Sequence, residues 1–149
     1  MISGSSSPSP GEYRAAGELR ASLRAFARST ERVLRAEGLT PERYELLLVI
    51  KVGDDRRATA GGLAEALGVA QSSVTQLVRR AEDAGLLHRE VSSTDARVRY
   101  LRLTKKGERH LARAVAALAP ERASLAKIVA RLAAPDADGQ RPRSQDQAL

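Results

Sequence analysis

Two short amphipathic segments hinged on one glycine occupy residues 63–87, LAEALGVAQSSVTQLVRRAEDAGLL, and few folds accommodate such a pair. In the first segment, Leu63, Ala64 and Leu67 fall on one side. In the second, Val74, Leu77, Val78 and Ala81 recur every three or four residues, the stripe of a helix buried along one face. Gly68 permits the tight turn between them, and Val69 is placed to plug the gap where the helices meet. Thr59 can cap the first helix, and Gly85 closes the second. Short helices joined in this way pack as a helix-turn-helix.

The residues left outside the second helix bear on function. Gln71, Ser72, Ser73, Thr75, Gln76, Arg79 and Arg80 all point away from the stripe, and no acid precedes Glu82. Hydroxyls at the positive N-terminal end of a helix can meet phosphates. Gln and Arg reach base edges in the major groove, where each base pair shows its own donor and acceptor pattern. An ordinary solvated face would mix acids with bases, as the rest of this chain does. Composition agrees: 25 Lys and Arg against 18 Asp and Glu give +7, which favours polyanionic partners. One Phe and three Tyr are too few for the base stacking that readers of single-stranded RNA use.

Past Gly85 the period changes from helical to alternating. Residues 85–91 lead into a polar tip, Ser92–Ala96, and in Val98–Leu103 the apolar Leu101 and Leu103 alternate with Tyr100 and Arg102. This is a two-stranded hairpin with Arg97 and Arg99 near its turn. Such a wing can push an Arg into the minor groove, where the potential is most negative.

Longer helices flank this unit. Residues 12–37 place Leu19, Leu23, Phe26, Val33 and Leu34 on one face, with Gly38 at the C-terminal end. Thr40-Pro41-Glu42 opens the next helix with a capping hydroxyl, a proline and an acid, and its interior ELLLVIKV should be buried on most sides. A charged turn, Gly53–Arg57, follows. Thr104 caps a helix carrying Leu111, Val115 and Leu118, and beyond Pro120 a last helix carries Leu125, Ile128, Val129 and Leu132.

The helices at 12–37 and 104–134 bear more apolar surface than the small winged unit can cover. Ala112, Ala114, Ala116 and Ala117 would let helices approach closely, so a homodimer is expected. The expected fold class is therefore mainly α with a small β-hairpin wing, a winged helix-turn-helix flanked by N- and C-terminal dimerisation helices. Residues 12–134 form one domain with its DNA-binding part at about 40–103. The tails at 1–11 and 135–149 are polar and expected to be disordered.

The pieces LTPERYELLLVI, LAEALGV, SSVTQLVRRAEDAGLL and DARVRYLRLTKKG together resemble the MarR family of bacterial winged-helix regulators. The most specific part is the wing pattern of Asp95, Arg97, Leu103, Thr104 and Gly107. The resemblance covers nearly all of residues 12–134. It implies a homodimeric transcriptional regulator, most often a repressor, whose protomers each read one half of an inverted repeat in double-stranded DNA. It implies Ser72, Ser73 and Thr75 at the DNA, Arg97 in the minor groove, and Asp95 within the same wing motif. It also implies a response to a small aromatic or anionic effector, with a pocket expected near Tyr44 and the first helix, where the residues read equally well as core. The pattern departs at Ala70, where a capping Ser is usual, and at Gln76, where Arg is frequent.

Other function classes lack their signatures. The chain has no cysteine and two histidines, His88 and His110, the first read as a strand residue and the second as a helix-surface one. No metal-ligand spacing, phosphate-binding loop or nucleophile elbow appears, so no enzyme, metal or cofactor is expected. No apolar run would span a bilayer and no leader is visible, which points to a cytoplasmic protein without membrane contact. The competing expectation is a winged helix used for protein contacts without sequence-specific DNA binding.

Overall fold

The computed structural model describes residues 7–134; the expected disorder of 135–149 and of the first six residues lies outside them. Helix α1 (Pro10–Ala36) is followed by α2 (Pro41–Val52), a single 3₁₀ turn (Asp54–Arg56), α3 (Ala60–Leu67) and α4 (Gln71–Asp83). Strands β1 (Leu87–Val91) and β2 (Arg99–Leu103) form an antiparallel hairpin, and α5 (Lys105–Ala117) and α6 (Ala119–Ala133) complete the order.

Side-chain caps account for most helix starts. Thr40, Thr59 and Thr104 each accept a hydrogen bond from the amide three residues on. Helix α1 starts at Pro10, two residues ahead of the expected Glu12, because Ser9 and Glu12 form a reciprocal capping box. The Ser9 amide, and to a lesser degree its hydroxyl, hold the Glu12 carboxyl below the usual carboxylate range. Helix α4 starts without a side-chain cap, since Ala70 has no hydrogen-bonding group to offer.

Two apolar clusters share α2 as their common wall. Leu46 and Ile50 pack with Leu63, Val74, Val78, Ala81, Leu87 and Leu101, joining the helix pair to the base of the hairpin. Leu47 packs with Leu34, Leu39, Leu86, Leu111, Ala114 and Leu118, joining α1, α2 and α5. A helix facing two cores has little polar surface to spare along its middle, which is why residues 46–50 are all apolar. Lys51 and Glu108 pair across α2 and α5 at the edge of this junction.

Helices α1 and α6 pack mainly against one another. Glu18 pairs with Arg131, and the Ser29 hydroxyl donates to Glu121 at 3.1 Å. Only Leu34 of α1 is buried, and no residue of α6 is. Among the described residues, no helix is long and apolar enough to cross a membrane.

Three local expectations need correction. Val69 does not plug the gap between α3 and α4 but is 44% exposed, because Leu63, Val74 and Ala81 already close the helix crossing. His110 is half-buried rather than on the helix surface, with Nδ1 3.0 Å from the Glu37 carbonyl at the end of α1. Ala114 is buried within its own protomer's core, so it offers no surface for a second copy, whereas Ala112 and Ala116 are exposed.

Candidate nucleic-acid interface

Burying Val74, Val78 and Ala81 fixes the rotation of α4. Gln71, Ser72, Ser73, Thr75, Gln76, Arg79 and Arg80 are consequently all exposed, along one continuous face. The uncapped start leaves the first amides of α4 without side-chain partners, a ready contact for an anion at the positive helix end. Thr75 donates its hydroxyl to the Gln71 carbonyl at 3.0 Å, which commits its proton and leaves its oxygen able to accept.

The hairpin pairs in register from Leu87 with Leu103 to Val91 with Arg99. Burial of Leu87 and Leu101 roots it in the first core, so only the distal part projects. Its tip is shaped by short polar bonds. Ser92 Oγ accepts from the amides of Thr94 and Asp95 at 3.2 and 3.3 Å, and Asp95 Oδ1 accepts from the Arg97 amide at 2.9 Å. The Asp95 carboxylate is thus occupied in folding the turn that presents Arg97.

Ion pairing separates the arginines of this region into two groups. Arg89 is held by Glu82, and Arg102 by Glu90 and Asp55. The Glu90 contact is the main cause that pushes the Arg102 guanidinium further above its ordinary range; burial opposes it, and the Asp55 contact adds to it. Arg79, Arg80, Arg97 and Arg99 have no carboxylate partner among the described residues. Of the arginines on α4 and the hairpin, those without a carboxylate partner are therefore the ones on the outer face of α4 and near the wing tip.

Two grooves border the α4 face. Thr75 and Arg99 share a small depression with Ala60, Val78, Arg89 and Leu101, which brings the wing strand beside the helix. On the other flank, Ser73, Gln76 and Arg80 rim a groove of about 270 Å³ floored by Leu67, Val69 and Leu77. Glu42 and Glu45 of α2 stand on its far edge, acids that the sequence pattern did not assign to this surface. A third groove, about 440 Å³, opens between α1 and α6, where Ser22, Phe26, Ser29, Glu121 and Ile128 line it. Tyr44, near which an effector pocket was expected, packs against the second core.

Residues 37–98, spanning α2 to the hairpin tip, match the family model described as MarR family. A Thauera aromatica protein described as a transcriptional regulatory protein for the hcr operon is 34% identical over 113 residues. That alignment takes in 76% of this chain and 64% of the relative, so the chain spans somewhat less than two thirds of the relative's length. AbsC, a MarR family transcriptional regulator from Streptomyces coelicolor, superposes with a TM-score of 0.66 at 26% identity. The superposition covers 88% of this chain and 86% of AbsC. The Mycobacterium tuberculosis transcriptional regulator MOSR, solved in complex with DNA, gives 0.57 at 28% identity over 83% and 82% of the two chains.

Proposed function

This chain belongs to the MarR family of winged-helix transcriptional regulators, and from that premise we propose that it represses transcription as a homodimer bound to an inverted-repeat operator. The observation that carries the reading is the exposed face of α4, which no acid interrupts before Glu82, flanked by a wing whose Arg97 and Arg99, like Arg79 and Arg80 of the helix, pair with no carboxylate among the described residues. In this reading Gln71, Ser72 and Ser73 meet phosphates at the start of α4, while Gln76, Arg79 and Arg80 face base edges and backbone in the major groove. Thr75 and Arg99 line the passage between helix and wing, and Arg97 enters the minor groove from a tip folded by Asp95.

Exposed apolar side chains on the paired helices support the homodimer. Helix α1 has 27 residues, about 40 Å at roughly 1.5 Å per residue. Tyr13 and Leu23 of α1 and Val129 of α6 are exposed, and Leu19, Phe26, Leu125 and Ile128 are only half covered. A second copy related by a twofold axis would cover this stripe and set two α4 helices against successive turns of DNA. An aromatic or anionic effector would release the DNA by favouring a spacing of the two α4 helices that no longer matches the operator. Phenolic acids titrated onto the DNA complex test that step, and failure of any of them to release the duplex counts against it.

Fluorescence anisotropy tests the whole reading, with DNA from upstream of the chain's own gene, a scrambled duplex, and low and near-physiological salt. Binding that survives salt only on the native duplex supports a specific regulator. Equal, salt-sensitive binding to both duplexes contradicts it and favours a protein-interaction module.

A further inference from the structure

Charged side chains tie both strands of the wing to the body of the protein. On β1, Arg89 grips Glu82 of α4 through Nε and Nη2 at 3.0–3.2 Å. On β2, Arg102 contacts Glu90 of the opposite strand and also reaches the loop between α2 and α3. There Nη1 donates to the Asp55 carbonyl at 2.6 Å, and Nη2 donates to its carboxylate at 3.2 Å. Asp55 also faces Arg57 Nε at 3.6 Å, and the Arg57 guanidinium lies 3.8 Å from the centre of the Tyr100 ring.

The backbone of this loop is itself constrained. Asp55 and Arg56 are consecutive non-glycine residues in the left-handed region, at φ 56° and 52°. Such conformations persist where the surroundings over-determine them. Here the bonds from Arg102 and the antiparallel bridge between Ala58 and Leu101, with N···O distances of 3.2 and 2.8 Å, supply that constraint. An isolated two-stranded hairpin is weakly stable. Beyond its buried base, the wing is braced by one clamp to α4 and another to the α2–α3 loop.

We infer that Asp55 and Glu82 are positioning residues for DNA recognition: through Arg102 and Arg89 they set the angle between wing and α4, so that Arg97 and the α4 face engage adjacent grooves together. The inference rests on the DNA-binding reading above. A wing ordered before binding loses less freedom when it docks. Simple electrostatics gives the opposite expectation. Neutralising an acid beside a phosphate-binding surface should strengthen binding to any duplex. The sign of the effect therefore separates the two accounts.

Asp55→Asn removes the charge with a residue that tolerates positive φ, and Glu82→Gln removes the other. Partly exposed ion pairs contribute little to stability, so both variants should fold. Each is titrated, at a temperature where its melting curve shows it folded, against the duplex that the wild type selects from a randomised pool and against a scrambled one. Both should bind the selected duplex roughly three- to tenfold more weakly, towards the lower end of what coupled neighbouring groups show, and the scrambled duplex no more weakly than the wild type. In an Arg97→Ala background the Asp55→Asn effect should nearly vanish, because the wing has lost the side chain being aimed. Undiminished or tighter binding to the selected duplex overturns the inference, as does an equal loss with and without Arg97. A wild type that cannot discriminate the duplexes overturns the DNA-binding reading itself, and this inference with it.

Discussion

A methyl group at position 107 would lie 2.0 Å from the Leu86 carbonyl oxygen, so the glycine in the Leu-Thr-x-x-Gly pattern is demanded by packing. Thr104 completes the same knot: its hydroxyl donates to the Gly85 carbonyl at 2.6 Å and accepts from the Gly107 amide at 3.0 Å. Replacing Gly107 by Ala should destabilise the protein by about 3 kcal/mol through overpacking, measured as a lower denaturant midpoint with an unchanged slope. An unchanged midpoint would mean that α5 shifts freely away from Leu86. Residues facing outward should behave differently, altering binding while leaving stability intact. Arg97→Ala should weaken DNA binding and lower the salt slope by about one. Gln76→Ala should relax the preference at one base pair of each half-site by about 1–3 kcal/mol, read from a panel of single-base operator variants. If Gln76→Ala weakens all duplexes alike, its contact is with the backbone.

At the scale of elements, helix α6 is held to α1 by surface contacts, and its pairing should respond to acid. The hydrogen bond from Arg131 is the main cause that holds the Glu18 carboxyl below the usual carboxylate range, and Arg131 stays charged throughout. The contribution of Glu18 is therefore fully present above the ordinary carboxylate range and is lost as pH falls through its depressed value. Hydrogen exchange of α6 amides, corrected for intrinsic rate, should show lost protection across that window, and Glu18→Gln should abolish the change. Most element boundaries were legible in the sequence because single residues impose them: Thr40, Thr59 and Thr104 as caps, and Gly68 as the left-handed end of α3, at φ 65°. The start of α1 was missed because the Ser9 capping box lies inside a polar, Pro-rich stretch that reads as a tail. The outer face of α4 was legible because its buried stripe sets the rotation. The clamps on Asp55 and Glu82 were not, since they join residues 47 and 7 positions apart through side chains whose meeting depends on the tertiary fold.

For the whole molecule, the two cores divide the work. One roots the wing against the helix-turn-helix, and the other ties that unit to α1 and α5, with α2 belonging to both. A shift of the flanking helices would reach α4 through this shared wall, the route that the proposed effector control would use. The exposed stripe containing Leu23 and Val129 should be where the second copy sits. Replacing both by Glu should convert a dimer to a folded monomer in sedimentation equilibrium, with specific DNA binding lost and weak non-specific binding kept. A variant that remains dimeric would place the interface elsewhere. Sequence-directed DNA binding by the α4 face and the wing is the property on which the proposed function depends. The most direct test is an anisotropy titration of the native upstream duplex against its scrambled counterpart at near-physiological salt, with wild type and Arg97→Ala side by side. Tight binding by the wild type to the native duplex alone, weakened in the variant, is the expected result. Equal affinity for both duplexes, or indifference to Arg97, would contradict it.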